Sequence, residues 1–286
     1  MSDELEYHVV DVFTDRPYAG NPLAVVFGAD GLDTVSMQAI AREFNLSETT
    51  FVLPATTPAA TYRLRIFTPM AELPFAGHPS VGTAWVMRQL GRIDAGGIVQ
   101  ECEAGLLPLT VADDRVELTG GAPTLSDDLP FEPALAAAGL EADDLAGPAV
   151  RAAGCGLEWV YLPVRGPAVT QVCLDLRALS AAGHAGVVVF GFDETSQEAH
   201  VRCFAADLGV PEDPATGSAA LGLGVFLVGA GLLPGAGEST YVVRQGAEIG
   251  RPSTLYGRVR AEDGRAVEAK VAGSVCAVAT GRINRP

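Results

Sequence analysis

The sequence predicts a mixed α/β protein built from two similar units. Short, alternating, β-branched runs recur along the chain, each closed by Gly- and Pro-rich turns. Two of them, ending near Phe67 and Phe204, lead through a polar joint into an apolar stretch of helical length. The two joints also echo each other. Arg65, Phe67 and Pro74 recur in order as Arg202, Phe204 and Pro211, and after a short slip Gly77 and Gly82 recur as Gly217 and Gly222. Gly and Pro matches are cheap, so coincidence is the alternative to duplication.

At 286 residues the chain is long enough for two domains or one large one. A hydrophobic share of 48%, with 33 Gly and 19 Pro, describes a turn-rich folded protein. The net charge of −16 argues against nucleic acid and anionic membrane as partners, because both need clustered Lys and Arg. Met1-Ser-Asp-Glu-Leu-Glu6 is acidic and reads as no signal peptide, so a cytoplasmic location is expected. The apolar run Gly217 to Leu233 is rich in Gly and Ala, lacks basic flanks and stops at Pro234, which predicts a buried helix rather than a membrane span. Cys102, Cys155, Cys173, Cys203 and Cys276 are scattered, with no C-x-x-C. They predict a reduced protein without disulfides or zinc, and His8, His78, His184 and His200 show no ligand spacing.

In order, strands are expected at Tyr7–Phe13 and Leu23–Phe27, separated by the turn-rich Thr14–Pro22. A helix is expected over Asp33–Phe44, capped by Asp33, with Val35, Ile40 and Phe44 on one face. Strands follow at Thr50–Pro54 and Tyr62–Phe67, then a helix over Ser80–Leu90, then a hairpin of Leu107–Val111 with Arg115–Thr119. Residues 120–133 are the linker candidate, and Phe131–Leu145 is Ala-rich and reads as helical. The second half starts over with Leu157–Pro163. A strand or turn pair follows at Gln171–Leu179 and Gly186–Phe190, then a strand at Glu198–Phe204, the joint Asp207–Ser218 and the apolar helix. Gly222, Gly224, Gly229 and Gly231 are expected inside that helix as close-packing positions. Thr240–Arg244, Ser253–Arg260, Ala266–Val271 and Ser274–Thr280 are short strands.

Each joint is a strand end, a turn and a helix start, where unsatisfied N–H groups and a positive helix end suit an anion. Two such units would set two helix starts across a cleft. Glu48, flanked by Leu46 and Phe51, is the candidate general base, since a desolvated carboxylate gains basicity; an exposed loop carboxylate is the plain alternative. His78, between Gly77 and Pro79, is either a turn histidine or a group that holds a substrate oxygen. Asp213 fits an N-cap or Asx turn, or an ionised group orienting an amine or hydroxyl. Thr216, Gly217 and Ser218 would offer N–H and hydroxyl donors to an anion, or simply cap a helix. No strand-anchored G-x-G-x-x-G and no Walker loop occurs, so cofactor-free acid–base chemistry without a metal is expected.

The set Val10-Asp-Val-Phe13, Ala19-Gly-Asn-Pro22, Leu46-Ser-Glu-Thr-Thr-Phe51, Phe67-Thr-Pro69, Glu72-Leu-Pro-Phe-Ala-Gly-His-Pro79, Glu212-Asp-Pro-Ala-Thr-Gly-Ser218 and Gln245-Gly-Ala-Glu-Ile-Gly-Arg-Pro-Ser253 resembles the PhzF family of phenazine-biosynthesis-type isomerases over nearly the whole chain. The resemblance implies a diaminopimelate-epimerase-like fold: two pseudo-symmetric domains, each a curled sheet around a central helix, at 1–118 with 273–286 and at 119–272. It implies Glu48 as the acid/base group and His78 and Asp213 as residues that bind and polarise the substrate. Ser47, Gly77, Gly217 and Ser218 match the family's carboxylate- and substrate-binding positions, and Asn21 lies in the matching loop.

The expected activity is a cofactor-independent proton shift on a small carboxylate-bearing substrate; the resemblance implies one like that on trans-2,3-dihydro-3-hydroxyanthranilate, and it alone implies a homodimer. Related racemases use two cysteines, at positions held here by Ala76 and Thr216, so a two-thiol mechanism is not expected. An epimerase or racemase of a small amino or hydroxy acid, or a non-catalytic acid-binding protein, are the rival readings.

Overall fold

The computed structural model describes residues 4–147, 149–175, 177–178, 186–205 and 210–286. Leu176, Leu179 and Asp207-Leu-Gly209, parts of two expected segments, and His184 lie outside the described residues. The chain divides into two compact units, Met1–Thr119 with Ala272–Pro286, and Gly120–Val271.

The first unit holds β1 (Glu4–Val12), β2 (Asn21–Phe27), α1 (Thr34–Phe44), β3 (Glu48–Leu53), β4 (Tyr62–Phe67), β5 (Glu72–Leu73), α2 (Gly77–Gln89), β6 (Gly96–Cys102), β7 (Gly105–Val111) and β8 (Val116–Thr119). β1 pairs antiparallel with β2, β2 parallel with β3, and β3 antiparallel with β4. β4 pairs antiparallel with β5 and parallel with β6, and β6–β7–β8 is an antiparallel meander. A last strand, β18 (Val275–Asn284), returns to lie antiparallel along β1, from Glu4↔Asn284 to Val12↔Val275.

The second unit holds β9 (Thr124–Leu125), α3 (Glu132–Ala138), β10 (Arg151–Gly154), β11 (Glu158–Pro163), α4 (Gly166–Val169), β12 (Val187–Asp193), β13 (Glu198–Ala205), β14 (Val210–Asp213), α5 (Gly217–Gly229), β15 (Gly237–Gln245) and β16 (Ser253–Glu262). β17 (Arg265–Gly273) leads out of it. The pairings repeat those of the first unit in order. β10–β11 is antiparallel, β11–β12 parallel, and β12–β13 and β13–β14 antiparallel. β13–β15 is parallel and β15–β16 antiparallel. The echo between the joints is therefore an echo of whole units.

α2 and α5 are each the buried helix of their unit. α2 packs on β1, β2, β3, β7 and β8, and α5 on β9, β10, β11 and β16. Burial nearly all round explains why α5 reads as uniformly apolar rather than amphipathic. Two tyrosines fix its height. Tyr161 Oη donates to the Ala219 carbonyl and Tyr241 Oη to that of Ala220, both at 2.7 Å. A Cβ on Gly222 would stand 2.3 Å from Tyr161 Oη, and one on Gly224 2.4 Å from Tyr241 Oη, so both must be glycine. α5 ends at Gly229; Gly231 lies beyond it at φ 73°, not inside the helix as expected.

Other expectations shift for physical reasons. α1 is capped by Asp33, whose Oδ1 accepts from the Ser36 N–H at 2.8 Å. Its buried positions, however, are Met37, Ile40 and Ala41, with Phe44 packed beside them, at i, i+3, i+4 and i+7. Val35 falls outside that stripe and is 77% exposed. α2 begins three residues before Ser80, with Pro79 inside its first turn, where the missing N–H costs no intrahelical bond. The helix expected over Phe131–Leu145 is broken by Gly139 at φ 65° into α3 and a 3-10 turn, Ala142–Asp144. The linker candidate is tied down: Gly120 N–H donates to Ala269, Gly121 N–H to Cys155, and β9 pairs with β10. Val172–Asp175 forms no strand; its Cys173 and Asp175 N–H groups bond carbonyls at the end of α3. No helix among the described residues is long and apolar enough to cross a membrane.

Candidate active site

In the first unit the candidates gather where β2, β3 and α2 begin. Asn21 opens β2 and is fully buried; Ser47 is half-buried immediately before β3. Gly20, just before Asn21, sits at φ 66° with Val12 O only 2.3 Å from where a Cβ would be, so only glycine admits the chain into β2. Glu48 is the first residue of β3, paired with Leu23 in parallel register, rather than a residue of the preceding loop.

Side chains alternate along a strand, so Glu48 and Thr50 share a face. That face looks at α2: Thr50 Oγ1 lies 2.9 Å from Thr83 Oγ1, and Glu48 Oε2 lies 3.0 Å from His78 Nε2. Both members of the second pair are sequestered, with side chains 11% and 6% exposed. His78 is the second residue of α2, and the N-cap before it, Ala76, is extended (φ −150°, ψ 139°) and has no side chain to cap the helix. The start of α2 is instead braced from within. Gln100 Oε1 accepts from Tyr62 Oη, Gln100 Nε2 donates to Ser80 Oγ, and Ser80 Oγ donates to the Ala76 carbonyl.

In the second unit Asp213 closes β14, opposite Cys203 on β13, and Thr216, not Asp213, is the N-cap residue of α5. Thr216 is turned inward. Its Oγ1 donates to Asp213 Oδ2 at 2.5 Å and its N–H to Gln245 Oε1 at 3.2 Å. Both donors expected to face an anion are therefore used within the protein, and Gly217 and Ser218 are left at the helix start. Ser218 Oγ accepts from Trp159 Nε1 at 3.1 Å. Sequence reasoning gave no role to Gln245 or Trp159. The sign of the first was its place at the head of the matched stretch Gln245–Ser253, directly after an alternating strand.

No thiol stands at either helix start. Cys203 is fully buried beside Asp213, and burial, then the Asp213 charge, push its thiol far above the ordinary range. Among the described residues no group of three or more His, Cys, Asp or Glu is arranged to hold a metal ion. Two open hollows of about 860 and 670 Å³ in the second unit, beside Arg151 and beside Arg165, are lined by none of the candidates.

The comparisons with known proteins bear on this geometry. The model of the phenazine biosynthesis-like protein family matches residues 10–281. An uncharacterized isomerase of Mesorhizobium japonicum is 37% identical, over 97% of this chain and 98% of its own. The trans-2,3-dihydro-3-hydroxyanthranilate isomerase of Pseudomonas aeruginosa is 34% identical, over 96% and 98%. The crystal structure of a PhzF-family phenazine biosynthesis protein of Bacillus anthracis superposes with a TM-score of 0.89 at 26% identity, covering 99% of each chain. Fold and relatives define the class: an α+β isomerase with a curled sheet. The chain belongs to the phenazine biosynthesis-like, or PhzF, family.

Proposed function

We propose that this isomerase moves a proton on a small carboxylate-bearing substrate of the kind its Pseudomonas relative is named for, with Glu48 as general acid and base. The observation that carries the reading is the 3.0 Å approach of Glu48 Oε2 to His78 Nε2 at the start of a buried helix. A carboxylate opening a strand has a fixed backbone, and the imidazole beside it limits its rotamers, so the oxygen that meets a substrate C–H is held in place. Glu48 takes the proton from one carbon, the electron pair moves along the adjoining unsaturation, and the resulting carboxylic acid returns the proton to another carbon. Nothing is oxidised or reduced, and the reading calls for no cofactor.

Each remaining candidate has a part in this scheme. His78 steadies the carboxylate and a substrate oxygen. The N–H groups at Gly77 and at Gly217–Ser218, with Ser47 and Asn21, are read as receiving the substrate's carboxylate and polar edge, and Asp213 as orienting an amine or hydroxyl. Thr216 enters through Asp213 rather than through substrate. Alanine and threonine at the two N-caps speak against a thiol racemase. The family resemblance also favours a homodimer, which light scattering of the purified protein tests.

The experiment is turnover of trans-2,3-dihydro-3-hydroxyanthranilate in D₂O by wild type and Glu48→Gln. The wild type should isomerise it, and the variant should lose on the order of 10²–10⁴ in kcat while still binding. Near-normal turnover by the variant removes Glu48 from the role. Binding without turnover or deuterium uptake by the wild type turns the reading toward a non-catalytic acid-binding protein.

A further inference from the structure

Gln245 is the last residue of β15, 2% exposed, and reaches back under the joint that leads into α5. Its amide makes three contacts there. Nε2 donates to the Asp213 carbonyl at 2.7 Å and to Thr216 Oγ1 at 3.0 Å, and Oε1 accepts from the Thr216 N–H at 3.2 Å. The partners fix the orientation of the amide. Flipped, its oxygen would face a carbonyl and its NH₂ would face an N–H.

The consequence lies one bond further on. A threonine hydroxyl has one proton. Because Gln245 supplies a proton to Thr216 Oγ1, that hydroxyl gives its own to Asp213 Oδ2. The chain Gln245 to Thr216 to Asp213 therefore runs in one direction and ends on a carboxylate oxygen. The turn after Gln245 is pressed against the same joint. Gly246 sits at φ 79°, and a Cβ there would stand 2.5 Å from Pro214 O.

The first unit carries a glutamine on the equivalent strand. Gln100 on β6 lies in parallel register with Tyr62 of β4, as Gln245 on β15 does with Val201 of β13. Gln100 is fully buried, and it braces its helix through Ser80 and the Ala76 carbonyl instead of through a carboxylate. The shared device is a buried amide under a central helix. Only in the second unit does the chain of donated protons end on a carboxylate.

We propose that Gln245 is a positioning residue for the isomerase reaction, holding Asp213 through Thr216 in the one rotamer that serves the substrate. This rests on the reading above, in which Asp213 orients a polar substituent.

The test uses the full chain and trans-2,3-dihydro-3-hydroxyanthranilate, with Gln245→Met, Thr216→Val, the double variant, Thr216→Ser and Asp213→Asn, each assayed below its own melting temperature. Gln245→Met and Thr216→Val should each lower kcat/KM by about 10²-fold, the loss expected of a misplaced catalytic-site group. The double variant should lose no more than the worse single one, because both break one chain. Thr216→Ser, which keeps the hydroxyl, should stay within a fewfold of wild type. A Gln245→Met protein that melts earlier but keeps its kcat/KM overturns the proposal, as does a double variant whose losses multiply. If Gln245→Met does not fold, Thr216→Val against Thr216→Ser decides alone: equal activities overturn the proposal. Unchanged turnover by Asp213→Asn, or a wild type inert toward the probe, overturns the underlying reading and the proposal with it.

Discussion

Arg202 holds Glu212 by two parallel hydrogen bonds, Nε to Oε1 at 2.9 Å and Nη2 to Oε2 at 2.7 Å, and its guanidinium lies 5.1 Å over the ring of Phe204. Arg65 does the same to Glu72, at 2.7 and 2.6 Å, and lies 5.1 Å over Phe67. In each unit the fork ties the strand before the joint to the strand that leads into the buried helix. The two forks differ in surroundings. Arg202 also donates to the Val172 and Val169 carbonyls, and the side chains of its pair are 11% and 12% exposed, against 16% and 26% for Arg65 and Glu72.

Removing one partner of a buried pair strands the other charge. Glu212→Ala should therefore cost about 3 kcal/mol in urea unfolding, and Glu72→Ala distinctly less. Equal losses would show that the surroundings of Arg202 add nothing.

His78 should matter to rate more than to folding. With its ring 3.0 Å from the base, His78→Gln is expected to lower kcat by roughly 10²-fold and to alter the pH dependence of turnover. Both follow from a pH–rate profile on trans-2,3-dihydro-3-hydroxyanthranilate, and an unchanged rate and profile remove the histidine from the support of Glu48.

Glycines in α5 should respond to added methyl groups according to what each would strike. Gly222→Ala meets Tyr161 Oη and the Ala153 carbonyl, neither of which can retreat cheaply, and should cost about 1–3 kcal/mol. Gly229→Ala meets only the end of Leu125, a side chain 39% exposed and able to move, while gaining up to about 1 kcal/mol of helix propensity. Thermal melts of the two variants should separate clearly, with Gly229→Ala near wild type.

Burial holds several thiols and phenols protonated. The Cys155 thiol is pushed up to about 12, and burial raises Cys203, Tyr62, Tyr161 and Tyr241 still further. A group whose folded value lies above its unfolded one contributes stability that is complete below the unfolded value and lost as pH rises toward the folded one. The melting temperature should thus fall with increasing steepness above about pH 9, where the unfolded chain begins to release these protons. For the same reason iodoacetamide at pH 8 should label exposed Cys173 first, and Cys155 and Cys203 only on unfolding. Fast labelling of Cys203 in the native protein would contradict its placement.

What could be read in the chain follows the range of the interactions involved. Asp33 was visible as a cap because its partner is three residues away, and β4 and β13 because their alternation is local. Val35 misled because an apolar residue near a helix start looks like core until the stripe of Met37, Ile40 and Ala41 is laid out. β6 and β10 went unnoticed: Gly-Gly opens the first, and Arg-Ala-Ala-Gly carries no β-branched residue, so both are strands by virtue of their neighbours. At the site, Glu48, His78 and Asp213 were proposed from residue type and resemblance. The 3.0 Å pairing of the first two, and the chain from Gln245 through Thr216 to the third, join positions some 30 residues apart, which no local pattern reveals.

The pairing of β18 with β1 also makes the order of synthesis differ from the order of assembly. Every strand of the second unit leaves the ribosome before β18, so that unit can be complete while the first still lacks its partner for β1. At typical elongation rates the nascent β1 waits roughly 15–50 s for it. During that time one edge of the first sheet is open to any other chain with an unpaired strand. A nascent-chain chaperone acting on this protein would find its task there, at β1, and would be released when β18 arrives.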